Sequence, residues 1–170
     1  KDAVFRLAER HYGRIPSRTL PGRKPQLEPA QVGIKRLVVK APAKLPYLSM
    51  VWKVPALRDL NKEREPYALE VLAAVLDAHE GARFARNLVR GTRVAVSAGA
   101  GYDATVRGEA LFSVAGTPAE GRTVNDLEAA LRAEIARVVN EGVSAEELER
   151  VKTQTIAAQV YKRDSMMAQA

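Results

Sequence analysis

A chain of 170 residues with 46% hydrophobic and 28% charged side chains can bury one core and carry an appendage, and its composition is that of an ordinary globular protein. No apolar run reaches about 18 residues, which argues against a membrane-spanning helix, and the absence of cysteine excludes a disulfide scaffold. The net charge of +7 would suit nucleic acid or an acidic partner, but the basic residues are spread along the chain with acids interleaved, the pattern of a solvated surface.

The chain opens in a helical pattern with neither an initiator Met nor a signal-like stretch, and reads as a piece of something longer. In "DAVFRLAERHYGRIP", Val4, Leu7, Ala8 and Tyr12 recur at the spacing of one helical face, with Gly13 and Pro16 to stop it. "SRTLPGRKPQLEPAQVG" follows, with Pro21, Pro25 and Pro29 and no periodicity. That composition predicts an extended connector and a boundary between residues 1–16, a linker over 17–33 and a domain over 34–170.

Within the domain, "IKRLVVK" and "PYLSMVWKVP" predict strands. Pro66 opens a helix through "PYALEVLAAVLDA", and a short arginine-rich helix is expected from Ala82 to Arg90. "RVAVSAGAGY" and "GEALFSVAG" alternate with period two, joined by "YDATVRG" as a hairpin. "VNDLEAALRAEIARVV" places Val124, Leu127, Leu131, Ile135 and Val138 on one stripe, with Glu128, Arg132 and Glu134 or Arg137 on the other side. "SAEE" predicts a capping box in which Ser144 accepts from the Glu147 amide and Glu147 reaches back, opening a last helix to about Lys162. The order β-β-α-α-β-β-α-α predicts an α+β fold, an antiparallel-rich sheet with helices packed on one face. No Gly-rich loop joins a strand to a helix, so nothing points to a nucleotide.

His79-Glu80 resembles the start of a zinc-peptidase signature, but neither the direct form H-E-x-x-H nor the inverted H-x-x-E-H is completed, residue 83 being Arg83. His11 is the only other histidine, and an ordinary zinc site takes three or four protein ligands. No metal ligand and no catalytic residue are assigned, and His79 reads as a polar residue in a tight connection ending at Gly81. Arg83, Arg86 and Arg90, at i, i+3 and i+7, would share one face of an α-helix. They are the candidate substrate-binding residues, with forks suited to the carboxylates of acidic peptide segments; the plainer reading is a solvated face. Tyr102 and Asp103 read as turn chemistry, and Tyr47 and Trp52 as strand residues in the core or an interface.

Several segments in order resemble the pitrilysin/insulinase-type zinc metallopeptidases. "LAERHYGRIP" is similar to the helix closing that family's first domain. "WKVP" with "YALEVLAAVL", then "GARFARNLVR", "AVSAGAGYD", "GTPAEGRTVNDLEAAL" and "EGVSAEELERVK", are similar to successive parts of the second domain. The nearest likeness is to bacterial half-size members. The resemblance implies two similar α+β domains per half, with the inverted zinc motif on the first. Two halves, as homo- or heterodimer, then close into a chamber that cuts unfolded peptides. On this resemblance the present chain is the tail helix of one domain plus most of the second, non-zinc domain; zinc belongs to the parent protein and none to this chain. The slots where a full chamber carries a substrate-holding Arg and, seven residues later, a Tyr are here Val89 and Val96, neither able to donate a side-chain hydrogen bond to an oxyanion. The domain therefore belongs either to the zinc-bearing chain or to an inactive partner subunit. Peptide is the expected partner. A basic scaffold for nucleic acid or an acidic protein is the alternative, disfavoured because aromatics are only 5% of the chain.

Overall fold

The computed structural model describes residues 1–22, 24 and 29–164, which divide after Ala41 into two compact units. Residues 23 and 25–28 of the expected linker, and the C-terminal 165–170, lie outside the described residues. Among its described residues the first unit contains one helix, α1 (Asp2–Tyr12), which ends where the Gly13 amide donates to the Glu9 carbonyl at 2.9 Å. Its apolar stripe is formed as the spacing predicts, yet Val4, Leu7 and Tyr12 are all exposed.

The expected strand Ile34–Lys40 is not formed: the segment has no ladder partner, and Leu37, Val38 and Val39 are exposed. Val-rich sequence expresses a fit to a pleated, half-buried surface rather than an intrinsic backbone preference, and without a neighbouring ladder the preference has nothing to act on.

The second unit holds a three-stranded antiparallel sheet in the order β1-β3-β2, from β1 (Leu48–Val54), β2 (Ala95–Tyr102) and β3 (Ala110–Pro118). The central strand β3 shows the alternation that one covered face imposes: Ala110, Phe112, Val114, Gly116 and Pro118 are buried, while Leu111 is exposed and Ser113, Ala115 and Thr117 are half-buried. Pairing sets Trp52 and Tyr102 opposite Phe112 on its two sides, and Met50 and Ala100 opposite Val114. The Tyr102 and Phe112 rings stack with centroids 6.5 Å apart. The Tyr102 hydroxyl donates to the Pro55 carbonyl at 2.5 Å, tying the end of β2 to the chain leaving β1. In the β2–β3 connection Asp103 closes the expected turn, accepting from both the amide and the hydroxyl of Thr105 at 2.8 Å.

The covered face carries α2 (Glu65–Asp77), a π-helix (Phe84–Gly91) and α3 (Val124–Glu141), while α4 (Ala145–Lys162) packs on α2. Leu76, Phe84, Leu127, Leu131 and Val114 are fully buried in a common core, each large apolar side chain contributing about 1.5–3 kcal/mol in area terms. Gly116 lets the β2 backbone lie close to β3: a Cβ there would fall 2.5 Å from the Ser97 carbonyl oxygen and 3.3 Å from the Ala98 Cα. At the outer edge of β2 the Asp77 carboxylate accepts from the Ala100 amide at 3.2 Å, so the last residue of α2 occupies an edge donor. Burial pushes the Asp77 carboxyl above its ordinary range, partly offset by that hydrogen bond. Among the described residues, the outer edge of β1 has no partner strand. No described helix is long and apolar enough to cross a membrane.

Candidate functional site

The segment between α2 and β2 carries most of the singled-out residues, and its backbone differs from the expected α-helix. Phe84–Gly91 is a π-helix whose C-cap amide, Thr92, donates to the Asn87 carbonyl five residues back at 2.8 Å, joined there by the Thr92 hydroxyl at 3.0 Å. π-turns inside helices are rare and concentrate at functional sites. Arg93 follows in the left-handed region, φ 52°, an unusual conformation for a side chain without a short polar group. The Val94 amide returns to the Leu88 carbonyl at 3.0 Å and launches β2.

The wider turn alters which residues share a face, and the arginine row is dispersed. Arg83 reaches α4: its Nε donates to Glu147 Oε1 at 3.0 Å and its Nη2 to Glu147 Oε2 at 2.7 Å, a fork on a carboxylate. Nη2 also donates to the Gly142 carbonyl at 3.1 Å. Both side chains of this pair are nearly covered, at 11% and 12% exposure. The Arg83 hydrogen bond, then its charge, hold the Glu147 carboxyl below the usual range against the effect of burial. Arg86 is exposed and donates to Asn87 Oδ1 at 3.1 Å. Arg90 folds back on Glu80, with Nη1 3.0 Å from its Oε2 and Nη2 on its carbonyl.

The His79-Glu80 pair is thereby accounted for by local structure: Glu80 holds Arg90, and His79 Nδ1 accepts from the Gly81 amide at 2.9 Å. His11 and His79 belong to different compact units, and among the described residues no three His, Asp or Glu side chains gather as a metal ion would require. These residues do not fit zinc. Of the two valines in the Arg-Tyr slots, Val89 packs against the core and Val96 is exposed at the start of β2.

Glu134 corrects the expected helix faces. Placed with the polar side of α3 on sequence, it is 2% exposed. Asn87 Nδ2 donates to its Oε2 at 2.9 Å, and Arg137 Nη1 donates to its Oε1 at 2.6 Å. A carboxylate can be retained there because both oxygens are engaged, one of them by a cation. Its burial was readable: Glu134 stands seven residues after Leu127 and three after Leu131, on the core-facing stripe itself. Tyr47 is exposed ahead of β1, and Trp52 lies on the covered face of the sheet beside Ile135 and Val139 of α3.

Residues 1–155 match the family model described as the Peptidase M16 inactive domain, and the chain belongs to that family. No curated protein matches the sequence. Among solved structures, the fold is similar to that of a protease from Helicobacter pylori, with a TM-score of 0.84 and 21% identity over 99% of this chain. The match spans 40% of that protein's length. At this identity the likeness is one of fold, and it places the three-stranded sheet and its helices in an architecture shared with a protease.

Proposed function

We propose that this chain is the non-catalytic wall of a peptide-cleaving chamber in a zinc metalloendopeptidase, opposite or beside a zinc-bearing domain. The observation that carries the reading is the family match over residues 1–155. In the proposed reading, residues 1–16 are the tail helix of a preceding domain, 17–33 the connector, and 34–170 the second domain. The zinc sits in the parent protein on sequence other than this chain, and the parent works as a homo- or heterodimer. Val89 and Val96 support a role without transition-state contacts, because neither side chain has a donor for a developing oxyanion. Unfolded peptide is the substrate, and the outer edge of β1, without a partner strand among the described residues, offers backbone groups for an extended chain to pair with.

Of the three arginines, the exposed Arg86 is the member able to meet such a peptide, Arg83 being committed to Glu147 and Arg90 to Glu80. Nucleic acid is not a partner on this reading. Arg83, Arg90, Arg132, Arg137 and Lys152 each hold a carboxylate of the chain, which leaves less free charge for a phosphate backbone.

The test is reconstitution. Alone, the 170-residue chain should retain no stoichiometric zinc after dialysis and cleave no peptide. Mixed with a half-size peptidase domain carrying the inverted zinc motif, it should bind that domain and raise cleavage of an unfolded peptide. One tightly held zinc per chain, or no binding to the zinc-bearing half, would overturn the reading.

A further inference from the structure

A cleft of about 310 Å³ opens between the π-helix and α3, a volume at the lower end of the range for ligand sites. Its floor is the buried pair Leu88 and Val94. The α3 wall is formed by Ala130 and Ala133, whose small side chains leave the space open, and the rim carries Asn87, Thr92, Arg122 and Arg137.

The single lining carboxylate, Glu134, has both oxygens engaged, Oε2 by Asn87 at 2.9 Å and Oε1 by Arg137 at 2.6 Å. Thr92 is held by its own helix. Arg122 differs from all of these. It stands immediately before Thr123, the N-cap of α3, and among the described residues no carboxylate or carbonyl accepts from its guanidinium. The neighbouring carboxylate, Asp126, feels the Arg122 charge but is hydrogen-bonded to Thr123, with Oδ2 at 2.8 Å from the amide and 2.7 Å from the hydroxyl. Two guanidinium groups against one engaged carboxylate leave the lining net positive.

The geometry points to a carboxylate-binding groove for an acidic side chain of a peptide segment, with Arg122 as the anchoring fork and the Ala130–Ala133 wall accepting the side chain's methylenes. The occupant is argued from charge and shape. A fork with no hydrogen-bonded acceptor among the described residues, over an apolar floor, selects an anion with a hydrocarbon stem, as in glutamate, over a fully hydrated inorganic anion. Arg137, oriented by Glu134, adds positive potential at the α3 end of the cleft. The chamber reading explains where such a peptide would come from. Binding itself requires no zinc-bearing half, so the two proposals fail separately.

Titration of the 15N-labelled 170-residue chain with the peptide Ac-Ala-Glu-Ala-NH2, followed by amide chemical shifts, tests the site. Saturable shifts are expected at Thr92, Arg122, Ala130 and Ala133. The Gln analogue should give none, and binding should weaken as salt is raised. Arg122→Gln should lose about tenfold or more in affinity, as expected for a hydrogen-bonded charge contact, and Arg122→Lys should recover part of it. Ala133→Leu fills the cleft from an exposed position without altering charge, and should abolish the shifts while the rest of the spectrum stays native. Equal response to the Gln peptide, unchanged affinity in Arg122→Gln, or tighter binding of inorganic phosphate or of the free acid Ac-Ala-Ala-Ala-OH than of the Glu peptide would each overturn the assignment.

Discussion

The two C-terminal helices begin with the same chemical device and use it differently. At the start of α3, Thr123 Oγ1 accepts from the Asp126 amide at 3.1 Å while Asp126 Oδ2 accepts from the Thr123 amide at 2.8 Å, a reciprocal box. At the start of α4, Ser144 Oγ accepts from the Glu147 amide at 3.1 Å, but the Glu147 side chain does not return to the cap. It crosses to Arg83, sixty-four residues earlier in sequence. The burial beneath the helices differs in the same sense. α3 sets Leu127, Leu131 and Glu134 into the interior, whereas α4 buries only Val151 among its described residues. A helix with a deep apolar stripe can close its cap locally. In α4, with its shallower stripe, the corresponding acid makes a long-range tie to Arg83 instead.

This contrast predicts a hierarchy of responses. Leu131→Ala, which removes a fully buried side chain of α3, should cost about 2–5 kcal/mol by denaturant unfolding once the cavity is included. An equal loss from truncating an exposed α4 residue such as Ile156 would erase the distinction between the helices. Arg83→Gln should come next, at about 1.5–3 kcal/mol for a hydrogen bond between charged groups, toward the lower end if the freed Glu147 swings back to complete the box on Ser144.

The same variant carries a pH signature. The Glu147 carboxyl is held low in the folded state, chiefly by the Arg83 hydrogen bond. Its contribution is therefore present above the ordinary glutamate range and lost as pH falls through the folded value. Arg83→Gln should flatten that acid-side loss. An acid limb unchanged from the wild type would mean that the pair does not anchor α4.

How far these features were legible follows the range of the interactions. The α+β character, α2, α3, α4 and the β2–β3 hairpin all rest on local periodicity and turn chemistry, and Leu127 and Leu131 face the core as their spacing requires. Ile34–Lys40 failed as a strand because a strand needs a partner that composition cannot supply. The π-helix was missed because one inserted residue leaves an amphipathic pattern readable as α, and with it the arginine row lost its common face. Arg83–Glu147 and Asn87–Glu134 join residues too distant in sequence for any local pattern to link. The Thr123–Asp126 box, by contrast, was readable as T-x-x-D at the head of the clearest amphipathic stripe. The Arg122 cleft depends on the packing of the π-helix against α3, which no single segment encodes.

Smaller effects sharpen the comparison further. Thr123→Ala removes the cap oxygen of α3 and should cost about 1 kcal/mol. Because the α3 core is intact, thermal unfolding should remain a single cooperative step. Separate early melting of α3 would show that its box, rather than Leu127 and Leu131, holds it in place.

Arg86→Ala should be the mildest change, within about 0.5 kcal/mol of wild type. Arg86 is exposed and its hydrogen bond is to Asn87 Oδ1, an oxygen that water can satisfy once the guanidinium is gone. The neighbouring Asn87 amide keeps its place on Glu134 through Nδ2, so the buried carboxylate is not left unpartnered. The measurement is paired denaturant unfolding of Arg86→Ala and Arg83→Gln. If Arg86→Ala proved the more damaging, Asn87 would depend on Arg86 for its orientation. The Glu134 cluster would then extend through the π-helix to the surface, and the arginines of this segment would form one coupled unit instead of one long-range tie (Arg83), one local pair (Arg90 with Glu80) and one solvated side chain.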